Sequence, residues 1–222
     1  MTFAYAPLNL YVEMSEDSVT SLILEQPKLF YEFVSDIYAQ NSGSSGTACF
    51  SDADASFSLS KHAVLITQMI PFETNQKPLL NALYARIKKI SQDKDTFLLS
   101  HEISGRIDSY INVLTEQCEG ELIWDHVDDM TVLLKAVSLR FFDEQTDLQS
   151  QLLDYMLVCR EYLGKRLFIT VNLRSYLSQS DADSLFHSMI LHKLSVLCIE
   201  NHEYPRVRDE RCVIVDQDFC VI

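Results

Sequence analysis

Apolar positions change their period along the chain, and each change marks a new element. Val19–Leu24 (Val-Thr-Ser-Leu-Ile-Leu) is a short apolar run that reads as a strand. Pro27 stands at a first-turn position behind it, followed by Phe30, Val34, Ile37 and Tyr38 at helical spacing. Residues 41–46, Asn-Ser-Gly-Ser-Ser-Gly, make a loop by composition, and 48–50 and 57–59 read as short β stretches. Residues 63–70 form a near-continuous apolar run stopped by Pro71, the pattern of a buried strand.

The middle of the chain turns helical. Leu79, Leu83, Ile87 and Ile90 make one stripe, and Ile103, Ile107, Ile111, Leu114 and Cys118 a longer one. Spacings that nearly alternate three and four suit helices packed at a shallow angle, so this stretch predicts a helical arm. Gly120 ends it, and Val127, Met130, Leu133 and Val137 predict a further short helix. Strand and helix then alternate. Thr146 with Gln149 forms a capping box for a helix whose core face is Leu148, Leu152, Met156, Cys159 and Leu163, terminated by Gly164. A strand at 167–171 follows, then a helix capped by Ser180 and bearing Leu185, Phe186 and Met189, then strands at 194–199 and 212–215, the last on a sheet edge. A strand–helix–strand unit of this length implies parallel neighbours and a right-handed crossover. The fold class is therefore α/β: a parallel or mixed sheet flanked by helices, with an α/β head at 1–75 and 138–222 interrupted by a helical leg at 76–137.

Composition narrows the class. With 222 residues, 47% hydrophobic and 23% charged, the chain is neither disordered nor of low complexity. No apolar run approaches the roughly 20 residues of a membrane span, and the first residues lack the basic and apolar regions of a signal peptide, so a cytoplasmic protein is expected. The six cysteines contain no CxxC pair, which points to free thiols. The net charge of −14 opposes a monomer that coats nucleic acid, although a local basic strip is compatible with it.

Several chemistries are missing from the sequence. None of the five glycines builds GxxxxGK[ST] or GxGxxG, and Gly43-Ser-Ser-Gly46 lacks the lysine of a phosphate cradle. Residues 52–56 lack the glycine and distal glutamate of a calcium loop. The histidines are scattered, with His187 and His192 five apart and off a common helix face. Asn172 and Arg174 follow one predicted strand, and Glu200, Asn201 and His202 follow its neighbour, so an enzyme would gather its polar groups there. Strand-end loops are polar for structural reasons as well. The densest acidic segment runs from Glu116 to Asp129 around the break at Gly120. It suits either calcium, through hard carboxylate oxygens on a bend, or acidic capping of the next helix.

Three strings carry a family resemblance. Lys165-Arg-Leu-Phe-Ile-Thr-Val-Asn172 leads into Ser175-Tyr-Leu-Ser178, the helix of residues 181–192 and Leu194-Ser-Val-Leu-Cys-Ile-Glu200. Val64-Leu-Ile-Thr-Gln-Met-Ile-Pro-Phe72 runs into Asn75, and the acidic bend ends in Asp128-Asp129-Met-Thr131. In order, length and local sequence, the chain from about Val19 onward resembles the small adaptation protein of type II-A CRISPR systems.

That resemblance implies a head shaped like a P-loop ATPase core without its nucleotide motifs, plus a helical leg. It further implies a homotetrameric ring that binds calcium and accepts double-stranded DNA ends during spacer acquisition. The partners implied are DNA, further copies of the chain, other adaptation proteins and the RNA-guided nuclease, with no membrane and no catalytic residue. Calcium would draw on Glu119, Glu121, Asp125, Asp128 and Asp129. Four acidic chains can hold DNA only if basic residues gather on the hole. Arg86, Lys88 and Lys89 make the best run, with Lys28, Lys94, Arg106, Lys135 and Arg140 as further candidates. Two other readings stand beside this one: a nucleotide-hydrolysing enzyme with an atypical site, and an acidic protein–protein adaptor that never touches DNA.

Overall fold

The computed structural model describes residues 1–53, 55–143 and 147–222. It has the α/β fold that the patterning predicts, with a parallel sheet and seven α-helices among the described residues. The chain divides into two compact units, one of residues 1–74 and 143–222 and the other of 75–142.

In the first unit, strands β1 (Thr2–Tyr5), β2 (Leu10–Glu13) and β3 (Val19–Leu24) precede helix α1 (Pro27–Asn41). Strands β4 (Ala48–Asp52) and β5 (Ala55–Ser56), helix α2 (Leu59–His62) and strand β6 (Ala63–Ile66) complete its first segment. The second unit holds α3 (Lys77–Ser91), α4 (Lys94–Thr115) and α5 (Met130–Ala136). The first unit then resumes with α6 (Leu148–Leu163), β7 (Leu167–Val171), α7 (Gln179–Leu191), β8 (Ser195–Glu200) and β9 (Glu210–Val215).

Five strands form a wholly parallel sheet in the order β6-β7-β8-β3-β9. Every residue of β3 is buried, as a strand covered on both faces requires. Leu22, Leu24, Leu167, Ile169, Leu197 and Ile199 face a core shared with Leu29, Phe33 and Ile37 of α1. On the same side lies a second, antiparallel sheet in the order β2-β1-β4-β5. Its Phe3 and Tyr5 alternate inward and set their rings 6.2 Å and 5.0 Å from that of Phe33. Phe33 is fully buried, a contribution of about 1.5–3 kcal/mol. Asp36 pins the start of β4 by accepting the amides of Thr47 and Ala48 at 2.8 and 2.9 Å.

The two crossovers α6–β7 and α7–β8 each pass through a left-handed residue, Gly164 at φ 64° and Lys193 at φ 52°. Leu152, Met156 and Cys159 of α6 and Leu185, Phe186 and Met189 of α7 are buried.

In the second unit, Asn75 and Phe141 exchange two hydrogen bonds of 2.9 Å, tying its entry to its exit. Tyr84 donates to the Leu139 carbonyl at 2.7 Å. Leu79 and Leu83 of α3 are buried, but on α4 only Ser104 is.

Several local expectations are corrected. The strand expected over residues 63–70 stops at Ile66, because β6 is a sheet edge and Ile70 is exposed. Residues 57–59 are not a strand, since the chain pairs at Ala55–Ser56 and then turns into α2. Helix α1 buries Leu29, Phe33 and Ile37, whereas Tyr38 is exposed. Ser178, not Ser180, caps α7 by accepting the Asp181 amide. The Thr146 half of the expected capping box lies outside the described residues, and Asp147 caps α6 by accepting the Ser150 amide at 2.8 Å. The β1–β2 hairpin has no counterpart in the expectation.

Candidate functional site

The acidic segment leaves α4 at Thr115 and runs without regular structure to α5. Two contacts hold it against α4: Ser104 donates to the Val127 carbonyl at 2.7 Å, and His126 Nδ1 bonds the Asp108 carboxylate. His126 Nε2 lies 3.7 Å from Asp128. Asp129 is the N-cap of α5, with Oδ1 accepting the Thr131 amide at 2.9 Å and Oδ2 accepting from Lys88 at 2.7 Å. The Lys88 hydrogen bond, and after it those of Thr131, lower the Asp129 pKa to about 2. Glu119, Glu121 and Asp125 are exposed. Among the described residues, no group of three or more His, Cys, Asp or Glu is gathered to hold a metal ion. Calcium coordination at this bend would require the five carboxylates to regroup around the ion.

The eight basic residues expected to meet DNA are dispersed in their bonding. Lys28 is in the first unit, 3.8 Å from Glu32, and the other seven are in the second. Lys88 is held by Asp129, and Arg106 by Glu102 at 2.7 Å. Lys135 lies over the Tyr84 ring, 5.3 Å from its centre, and Arg140 donates to the Ser138 carbonyl at 3.5 Å. Arg86 and Lys89 project from α3, and Lys94 opens α4. Lys89 and Lys94 form no ion pair among the described residues.

At the carboxyl end of β7 and β8 the polar groups do converge. Asn172 takes a left-handed conformation (φ 52°), and a 3-10 turn at Leu173–Tyr176 carries Arg174 into the interior. The guanidinium pairs with Glu210 at 3.1 Å and also donates to Gln179 Oε1 and the Pro205 carbonyl. Ser21 and the Val207 amide complete the Glu210 carboxylate. Glu200 accepts the Arg174 amide through Oε1, while its Oε2 has no hydrogen-bond partner among the described residues. Arg174 and Glu200 are only 3% and 1% exposed, so they are closed to any substrate and serve as a buried charge network.

The opposite, amino-terminal edge of the same sheet carries a cluster that periodicity did not single out. Arg160, Lys165, Arg166 and Lys193 line a cavity of about 440 Å³ together with Glu16, Asp52 and Ser195. The signal was available in the sequence: Lys165-Arg166 and Lys193 occupy equivalent helix-to-strand junctions. The parallel register Leu167↔Ser195 brings those junctions side by side.

The family model described as CRISPR-associated protein (Cas_Csn2) matches residues 40–219. Among solved structures, the chain is similar to Stu0660 of Streptococcus thermophilus, with a TM-score of 0.54 and 12% identity over 90% of this chain and 68% of that one. At that identity the likeness concerns the fold alone. No helix among the described residues is long and apolar enough to cross a membrane.

Proposed function

The chain belongs to the CRISPR-associated Cas_Csn2 family, and on that footing we propose that it binds double-stranded DNA ends without reading their sequence. It does so as a ring of four copies, in spacer acquisition, together with other adaptation proteins and the RNA-guided nuclease. The match over residues 40–219 carries this reading. The missing phosphate cradle favours a binding role over nucleotide hydrolysis. Helix α4 supports self-association, because Leu98, Tyr110 and Val113 are 77%, 65% and 53% exposed. Apolar residues left in water along one helix are the kind of surface that a second copy covers.

The charge of −14 sets the conditions for binding. Most of the surface repels phosphate, so contacts come from a minority of Lys and Arg and weaken steeply with salt. Mobility shifts on unrelated duplex sequences over a salt series, alongside the solution mass, test the proposal. The expected result is equal affinity across sequences, loss at high salt and a mass four times the 25.5 kDa of one chain. A monomer that shifts no duplex would overturn it in favour of the acidic adaptor.

A further inference from the structure

We propose that the cavity at the amino-terminal edge of the parallel sheet is a binding site for a phosphate group. Four of the chain's 18 basic residues line it, against two carboxylates, in a protein that is otherwise strongly acidic. One of those carboxylates is already engaged, since Asp52 pairs with Arg166 at 2.8 Å.

The cations are positioned by their own structural bonds. Arg160 donates through Nη1 to the His192 carbonyl at the end of α7. Lys165 donates to the carbonyls of Ser60 and Lys61 at 3.1 and 3.0 Å. The Arg166 guanidinium lies over the Phe57 ring, 5.1 Å from its centre. These contacts fix the side chains without exhausting them, because a guanidinium has five N–H donors and an ammonium three. The Lys193 ammonium has no partner among the described residues. Its backbone is held in the left-handed region between α7 and β8.

Two guanidiniums that can grip oxygens bidentately, with two ammonium point charges beside them, match a phosphate dianion better than a single carboxylate. The volume is within the range of small-ligand sites, roughly 300–1,000 Å³. Burial also lowers the Lys165 pKa below its ordinary value, a deficit that an anion in the cavity would relieve.

The phosphate could be free or could end a nucleic acid strand, and the test separates the two sources. The full chain is titrated calorimetrically with inorganic pyrophosphate at low salt. It is then titrated with a short duplex bearing either 5′-phosphate or 5′-hydroxyl ends. Lys193→Gln is the main variant because that side chain supports no contact in the fold, and Lys193→Arg and Lys77→Gln, an exposed lysine outside the cavity, serve as controls. Pyrophosphate binding that weakens roughly tenfold or more in Lys193→Gln, but not in the controls, supports a free phosphate ligand. Preference for the 5′-phosphorylated duplex, lost in Lys193→Gln and competed by pyrophosphate, supports a strand end. No pyrophosphate binding and no preference between ends would overturn the proposal, as would binding unchanged in Lys193→Gln. The pyrophosphate arm contains no DNA, so its result is independent of the function proposed above.

Discussion

Glu200→Gln removes the one charge that the buried network does not neutralise. Burial pushes the Glu200 carboxyl up to about 7 from its ordinary 4.5, against the pull of the Arg174 amide and guanidinium and with a further push from Glu210. The folded protein therefore holds this proton more tightly than the unfolded chain does. The resulting stabilisation is complete below about pH 4.5 and is lost as the pH rises through 7. Two and a half pH units correspond to about 3 kcal/mol, most of it disappearing between pH 5 and 8. Glutamine keeps the carbonyl that accepts the Arg174 amide and cannot ionise. Over that range wild type should lose about 2–3 kcal/mol that Glu200→Gln retains. Background titration from the net charge of −14 is common to both proteins and cancels in the difference. Urea unfolding at pH 5, 6.5 and 8 measures it by circular dichroism, because the single tryptophan, Trp124, reports on the other unit. Parallel pH slopes in the two proteins would refute the argument.

Arg174→Met should leave the Glu210 carboxylate buried without its cation and cost about 3–5 kcal/mol in the same urea assay, and a loss below about 1 kcal/mol would contradict this account of the network. Gly46→Ala should lower the melting temperature, since a Cβ there intrudes on Gln40 Nε2 and Asp36 Oδ1, whose hydrogen bonds anchor β4, and a cost of about 1–3 kcal/mol is expected. Asp147→Ala removes the α6 cap and should cost about 1 kcal/mol at pH 7, restored by Asp147→Ser.

The parts of this fold legible in the sequence are those where one physical demand dominates. Strand β3 is read correctly because a strand buried on both faces must be apolar throughout, and β7 because Gly164 ends the preceding helix with a left-handed residue. Patterning fails where the partner decides. Strands β1 and β2 are four residues each, too short for alternation to stand out, and the Phe3–Phe33 contact that seats β1 is thirty residues away along the chain. The α4 stripe is genuine in the sequence, yet Ile103 and Leu114 remain 38% and 45% exposed in the single chain. Periodicity announces an apolar face and cannot say whether the same chain covers it. The acidic bend shows the same limit, because nothing local in Asp128-Asp129 reveals that Lys88, forty-one residues earlier, bonds the second carboxylate. For the same reason the junctions at Lys165-Arg166 and Lys193 become one cluster only once β7 and β8 are paired in parallel.

A ring that takes DNA by its ends must distinguish linear from closed duplex, because only the linear form offers an end to thread. The chain is incubated at low salt with one duplex in two forms, linear and covalently closed, and the shifted fractions are compared over a concentration series. A closed ring threads a free end but cannot enter an uninterrupted circle. A shift of the linear form only is expected, reproduced when the circle is cut once. Equal binding to the closed circle would contradict the ring.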